Sequence, residues 1–162
     1  MSNLLLKDVR PMGKEALDVL VQDGKIQQLA PSITAPDDIK IIDGMGHLLL
    51  PGLVNAHAHI DKNLLGLPWR PNSVPEPRRI KDYVDNECQQ RIALGLDTAK
   101  QSAIEVQMAI EAGVTHIRTH VDIDTDAGLK HWEGVLQTQE TFKDQLTMQT
   151  VAFPQSGMLI RQ

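Results

Sequence analysis

The first 50 residues alternate apolar and polar positions over short runs, the pattern of β-strands with one buried face. Asp23-Gly24 lies between two of these runs, and this dipeptide favours a two-residue hairpin. The predicted strands are Leu4 to Val9, Leu17 to Val21, Ile26 to Leu29, Ile41 to Ile42 and His47 to Leu50. This part of the chain is therefore predicted to be a small all-β unit.

From residue 51 onward, strand patterns alternate with helical patterns. Three apolar runs predict strands, at Pro51 to Ile60, Val114 to Asp122 and Leu146 to Pro154. The stretches between them predict three helices: Arg78 to Leu94, a second that begins at Asp97 or Thr98 and ends at Gly113, and Ala127 to Lys143. Because parallel strands need crossovers of about the length of a helix, this order predicts a parallel sheet with helices packed against it.

Two histidines in the first of these strands are the strongest chemical signal in the chain. His57 and His59 lie two positions apart, so in a strand their imidazoles point to one face and can bind a single metal ion. The alternative is a pair of buried histidines that only make hydrogen bonds. The context favours the metal, because the rest of the run is apolar and Asp61 and Lys62 follow at once, where a strand would meet solvent.

Three segments of this second part carry motif-like patterns. They are PGLVNAHAHIDK at Pro51 to Lys62, IRTHVDID at Ile117 to Asp124 and VAFPQSG at Val151 to Gly157. Together, in this order and spacing, they resemble the amidohydrolase superfamily in its cytosine deaminase-like branch, and the resemblance extends over essentially the whole chain. The fold class that it implies is α/β: the first three strands of a TIM (β/α)8 barrel, preceded by part of a small β-sandwich domain.

The resemblance also implies how the chain is organised. Residues 1–50 are expected to be the amino-terminal portion of a composite β-sandwich, and residues 51–162 the first β/α units of a metal-dependent hydrolase barrel. A complete barrel takes about 250 residues, so this one is expected to be incomplete and the chain to be the amino-terminal portion of a longer enzyme.

An activity follows from the same resemblance. It implies metal-dependent hydrolytic deamination of cytosine or a related nitrogen heterocycle, a small-molecule reaction of pyrimidine metabolism. His57 and His59 would hold one divalent ion, zinc or iron, and Gln155, at the Phe-Pro-Gln position, would contact the substrate. The other ligands and the catalytic acid and base are expected beyond Gln162, so this chain alone is expected to be inactive. The full-length form is expected to be a homo-oligomer.

Alternation assigns the two faces of each strand in such a barrel, one toward the lumen and one under the helices. The lumen set of the first strand is Leu53, Asn55, His57 and His59, and the apolar set under the helices is Val54, Ala56, Ala58 and Ile60. The lumen set of the second strand is His116, Arg118, His120 and Asp122, and that of the third is Gln149, Val151, Phe153 and Gln155. Burying the polar set beneath helices would cost about 1–3 kcal/mol for each group left unpaired.

Several other residues near the strand ends have weaker assignments. His120 and Asp122 are candidates for groups that orient the metal ligands, and an internal structural pair with Arg118 is the alternative. Asp61 and Lys62 are predicted to form only an ion pair. The resemblance puts neither His116, His120 nor His131 at a ligand position; His131 is predicted to be a solvated surface residue, and Cys88 to be structural.

The composition excludes some classes of partner but does not indicate an activity. The chain has 16 Lys and Arg against 21 Asp and Glu, a net charge of −5, and no basic run, which argues against nucleic acid as a partner. Cys88 is the only cysteine and has no partner for an internal disulfide. The apolar run at the amino terminus is too short for a signal segment or a membrane span, so a cytoplasmic protein without a membrane partner is expected.

Two other functions stay open from the sequence. One is hydrolysis of a cyclic amide by an enzyme of the dihydroorotase or hydantoinase kind, against which Phe153-Pro154-Gln155 and Arg118-Thr119-His120 argue. The other is a truncated remnant without catalysis.

Overall fold

The computed structural model describes residues 3–71, 74, 76, 79–123, 125, 128–155 and 157. The chain divides into two compact units, Met1–Pro51 and Gly52–Gln162. Within the described ranges, no helix combines the length and the apolar character needed to cross a membrane.

The first unit is a four-stranded sheet in the order β3-β2-β1-β4. Its strands are β1 (Leu4–Pro11), β2 (Leu17–Gln22), β3 (Lys25–Ala30) and β4 (Lys40–Leu49). Neighbouring strands run antiparallel except β1 and β4, which are parallel. The hairpin predicted at Asp23-Gly24 is confirmed: the φ angles of these residues are 52° and 74°, and a type I′ turn needs positive φ at both of its central positions.

β4 differs from the sequence prediction, which gave two short strands here. A bulge joins the two parts into one strand: Lys7 pairs with Asp43 and Val9 with His47, so residues 44–46 of β4 lie opposite Asp8 alone. Gly44 is required at this point, because a Cβ on it would lie 2.3 Å from Cγ1 of Val9. Gly44 and Gly46, which lie between the two predicted strands, therefore belong to the bulge.

Asp18 is a buried carboxylate that holds irregular backbone of the first unit in place. Its Oδ1 accepts a hydrogen bond from the backbone N–H of Asp8, at 3.0 Å, and its Oδ2 accepts one from the N–H of Ile33, at 2.9 Å. Ile33 packs with Leu5 and Leu20 in the core of this unit. The hydrogen bonds from Ile33 and Asp8 keep the pKa of the Asp18 carboxyl below its usual value.

We expect Asp18→Asn to lower the melting temperature by several degrees, because the amide offers one acceptor where the carboxylate offers two. A depressed folded-state pKa contributes stability above the unfolded-state pKa of about 3.9, and that stability is lost as the pH falls through the lower folded-state value. The variant should therefore melt with less pH dependence than the wild type below about pH 4. Thermal melts followed by circular dichroism test this, with the exposed Asp37→Asn as control; equal melting temperatures for the two variants would contradict it.

The second unit contains a three-stranded sheet in the order β5-β6-β7, with all strands parallel as predicted. Its elements are β5 (Leu53–Ala58), α1 (Ile80–Leu94), α2 (Thr98–Glu111), β6 (Val114–Asp122), α3 (Lys130–Phe142) and β7 (Thr147–Phe153). β5 is two residues shorter at each end than the predicted Pro51 to Ile60, so His59 follows the strand. The predicted helix starts at Arg78 and Ala127 lie outside the described residues. The structure contains three strands of the predicted barrel, and closure to eight stays a prediction.

The capping residues at the two ends of α2 explain where the helix begins and ends. Asp97 is the N-cap and accepts hydrogen bonds from the backbone N–H groups of Ala99 and Lys100. The C-cap is Ala112, and Gly113 follows with a φ of 85°, a conformation that favours glycine. Asp97, and not Thr98, is therefore the residue that caps the start of α2.

One face of the sheet packs against α2 and α3. The apolar core consists of Ala58, Ile60, Ile117, Val121 and Met148 from the sheet side and Val106, Val135, Phe142 and Leu146 from the helices and their ends. The predicted faces of β6 are confirmed, since Ile117, Thr119 and Val121 are buried while His116 and Arg118 are exposed. Of the set predicted to lie under the helices in the first strand, Ala58 and Ile60 are buried in this core, whereas Val54 and Ala56 are exposed.

Candidate metal centre

Two imidazoles converge at the carboxyl end of β5. Nε2 of His57 lies 3.3 Å from Nε2 of His59, and the ring centroids are 5.2 Å apart. The positions two apart in the sequence produce this arrangement, although only His57 belongs to the strand itself. The predicted convergence of the two side chains on one point is therefore present.

His120 of β6 joins this pair. Ala58 is paired with Thr119 in the parallel register, which brings His120 level with the residues that follow β5. Its ring centroid is 4.6 Å from that of His57 and 5.5 Å from that of His59. One nitrogen of each ring lies within 4.8 Å of the others, so the three histidines form a group that can hold a metal ion.

The resemblance gave His120 no ligand position, whereas the structure brings its ring into the group beside His57 and His59. The strand alternation had put His120 on the lumen face, but its place beside His57 depends on the register of β5 against β6. His116 lies on the same strand face, but it is exposed and bonds to the neighbouring Thr115.

Phe153 of β7 provides an apolar wall beside the histidines. Its ring meets those of His59 and His120 edge-on, at centroid distances of 5.5 and 6.0 Å. Burial lowers the pKa of His59, and the positive charge of Lys62 adds to the effect. This shift favours the neutral imidazole, the form that binds a metal ion.

The geometry fits a divalent transition metal. Two nitrogens at 2.0–2.1 Å from an ion in tetrahedral geometry lie about 3.3 Å from each other, the separation found between His57 and His59. The Nδ1 atoms of His59 and His120 are buried and have no hydrogen-bond partner among the described residues. The donor set and its spacing are therefore those of a histidine metal site.

A cluster of buried charges lies beyond the same strand ends. Oδ2 of Asp61 accepts a hydrogen bond from the backbone N–H of Asp122, at 2.9 Å. Nζ of Lys62 lies 3.1 Å from both carboxylate oxygens of Asp122. Arg91 lies between the two carboxylates, with Nη2 3.5 Å from Asp122 and Nη1 3.9 Å from Asp61.

These contacts correct two of the predicted pairings. Asp122 pairs with Lys62 and Arg91, whereas its predicted alternative partner, Arg118, is exposed. Among the carboxylates, Asp122 is the one closest to Lys62, and Asp61 faces Arg91. Burial raises the pKa of the Asp61 carboxyl, because the low-dielectric surroundings disfavour its charged form.

Two members of the charge cluster come from α1 and were missed by the sequence analysis. Arg91 is the only buried residue of this helix among those described, and Nε of its guanidinium lies 3.8 Å from Oε1 of Glu87. Burial raises the pKa of Glu87. The acid and base four positions apart on a helix were a visible signal, but this spacing is equally typical of an exposed ion pair.

The structure also places the remaining candidates. Gln155 follows β7, and its Oε1 accepts a hydrogen bond from Lys62. His131, predicted to be a solvated surface residue, is half-buried, with its Nδ1 2.7 Å from Oγ1 of Thr98, so that prediction was wrong. Cys88 is half-buried and its Sγ accepts from Arg91 at 3.5 Å.

The chain is similar to several known proteins. The N-isopropylammelide isopropyl amidohydrolase of Pseudomonas sp. (strain ADP) is 34% identical over 121 residues, which are 74% of this chain and 30% of that protein. A solved structure, that of N-isopropylammelide isopropylaminohydrolase from Burkholderia multivorans ATCC 17616, has 43% sequence identity to this chain and a TM-score of 0.90. The match covers 99% of this chain and 40% of the chain in that structure. The chain resembles members of the amidohydrolase superfamily.

A second solved amidohydrolase structure is 5-methylcytosine deaminase from Klebsiella pneumoniae, liganded with 5-fluorocytosine. It matches 96% of this chain and 37% of its own, at 26% identity and a TM-score of 0.74. No family model matches the chain. The chain thus spans 30–40% of the length of these relatives, and the resemblance predicted from the sequence is confirmed at the level of the superfamily.

Proposed function

We propose that this chain is the amino-terminal part of a metal-dependent amidohydrolase that removes an exocyclic amino group from cytosine or a related nitrogen heterocycle. The convergence of His57 and His59 at 3.3 Å carries the proposal, because it is the donor arrangement that a catalytic divalent metal needs. The relatives named for N-isopropylammelide and 5-methylcytosine support a ring substrate that bears an amine.

The residues of this chain would have different roles in this reaction. His57 and His59 hold the ion, and His120 stacks against His57 and limits its rotation. A divalent ion held there would supply hydroxide near neutral pH, because it lowers the pKa of bound water to about 7. The Phe153 ring excludes water from the inner side of His59. Gln155 binds the heterocycle through its amide, and the acid and base that move protons are expected outside the described residues.

The test is metal analysis combined with product assays on the complete protein that contains this chain. We expect one zinc or iron ion per chain, and release of ammonia from cytosine or of isopropylamine from N-isopropylammelide. Ring opening of dihydroorotate without amine release would instead favour the cyclic amide hydrolase. A protein that holds no metal at these histidines would contradict the proposal.

Gln155→Ala separates substrate binding from metal binding. Because Gln155 contacts Lys62 rather than the histidines, we expect the variant to keep its metal while its KM rises about tenfold or more, the effect of losing one polar contact to a ligand. Steady-state kinetics and metal analysis on the same preparation check this. Metal loss in the variant would show that Gln155 belongs to the metal centre.

A further inference from the structure

The amide of Gln155 is held in one orientation by Lys62. Nζ of Lys62 donates to Oε1 of Gln155 at 2.5 Å. A glutamine amide has an acceptor end and a donor end, whereas an ammonium group offers donors only. Turning the amide round would set the NH2 group of Gln155 against the ammonium, and no hydrogen bond could form. The carbonyl end of Gln155 therefore faces Lys62, and its NH2 end faces away.

Lys62 is itself fixed from the opposite side. Its Nζ lies 3.1 Å from both oxygens of Asp122 and 4.0 Å from Oε1 of Glu87, and the side chain is 11% exposed. Asp122 is 2% exposed and also faces Arg91, at 3.5 Å. The ammonium is thus one member of a buried charge cluster and is not free to leave Gln155 for solvent.

We propose that Lys62 is a positioning residue that presents the NH2 group of Gln155 to the substrate, so that the site selects heterocycles with a hydrogen-bond acceptor at that edge. The acceptor would be a carbonyl oxygen. A ring with an amino group there would leave two donors facing each other without partners, which a buried site rejects strongly. This inference rests on the proposed role of Gln155 in substrate binding.

The orientation is tested in the chain without metal or substrate, by the 13C signal of the Gln155 side-chain carbonyl. A carbonyl that accepts from an ammonium is deshielded, so we expect this signal to move upfield in Lys62→Met. It should stay in place in Lys62→Arg, which still donates, and in Lys81→Met, the matched control on the exposed face of α1. An unchanged Gln155 carbonyl signal in Lys62→Met would overturn the inference.

The selectivity is tested with two probes, 2-pyrimidinone, which offers a carbonyl oxygen, and 2-aminopyrimidine, which offers an amino group. We expect the wild type to bind 2-pyrimidinone about tenfold more tightly, and Lys62→Met, whose Gln155 amide can turn, to bind both about equally. Equal affinities in the wild type, or failure of both probes to bind, would overturn the selection. A protein with this preference but without metal or deamination would contradict the proposed function and leave the role of Lys62 intact.

Discussion

Replacing His57 or His59 by Ala is expected to abolish stoichiometric zinc binding, with an apparent affinity lower by about a hundredfold or more. Groups that merely orient a ligand cost about 10–100-fold in metal affinity when mutated, and a ligand costs at least as much. The two nitrogens lie 3.3 Å apart, so each is expected to contribute directly to the same ion. Calorimetric titration with zinc and metal analysis of the purified variants measure the effect.

His116→Ala is the matched control, because His116 is an exposed histidine of β6 outside the group of three. It should bind zinc as the wild type does. His120→Ala shows whether His120 binds the ion or only holds His57 in place. A zinc affinity lower by about 10–100-fold fits a group that stacks against His57. Wild-type zinc stoichiometry in His57→Ala or His59→Ala would show that the assignment is wrong.

Arg91→Met is expected to lower the free energy of unfolding of the second unit by about 3 kcal/mol, because removing one partner of a buried ion pair leaves an uncompensated charge. Arg91 faces both Asp61 and Asp122, which are 3% and 2% exposed. Because Lys62 remains beside Asp122, Asp61 is expected to be the carboxylate that is left without a positive partner. Urea denaturation followed by circular dichroism measures the change.

The control for this substitution is Arg79→Met at the start of α1. Arg79 pairs with Asp82 at the surface, where an ion pair contributes little. We expect its unfolding midpoint to stay close to that of the wild type. If both variants unfold alike, the guanidinium of Arg91 does not stabilise the charge cluster.

Alternation along the strands was enough to predict much of the candidate site. Side chains in a strand repeat every two residues, so the shared side of His57 and His59, and the buried face of β6, follow from the sequence without any knowledge of packing. The hairpin at Asp23-Gly24 was equally accessible, because its backbone demands are local. The parallel order followed from the lengths of the crossovers.

What lay beyond prediction depends on contacts between distant segments. The position of His120 beside His57 requires the register of β5 against β6, which no local pattern encodes. Arg91 and Glu87 reach the strand ends only because α1 lies over them, and the residues between Lys62 and α1 have no periodic pattern that would fix its direction. The bulge in β4 was missed for a similar reason, since it depends on the pairing of β4 with β1, where Gly44 lies close to Val9.

The hydrogen bond from the N–H of Asp122 to Asp61 joins positions 61 apart in the sequence. The candidate centre is therefore a product of high contact order: the entropy of closing that long loop is lost before any of its polar contacts can form. A peptide copying residues 51–62 would contain His57 and His59, yet neither His120 of β6 nor Phe153 of β7, whose rings lie against them. Any affinity for a metal at this centre is thus expected to develop together with the folding of the unit rather than in any short segment.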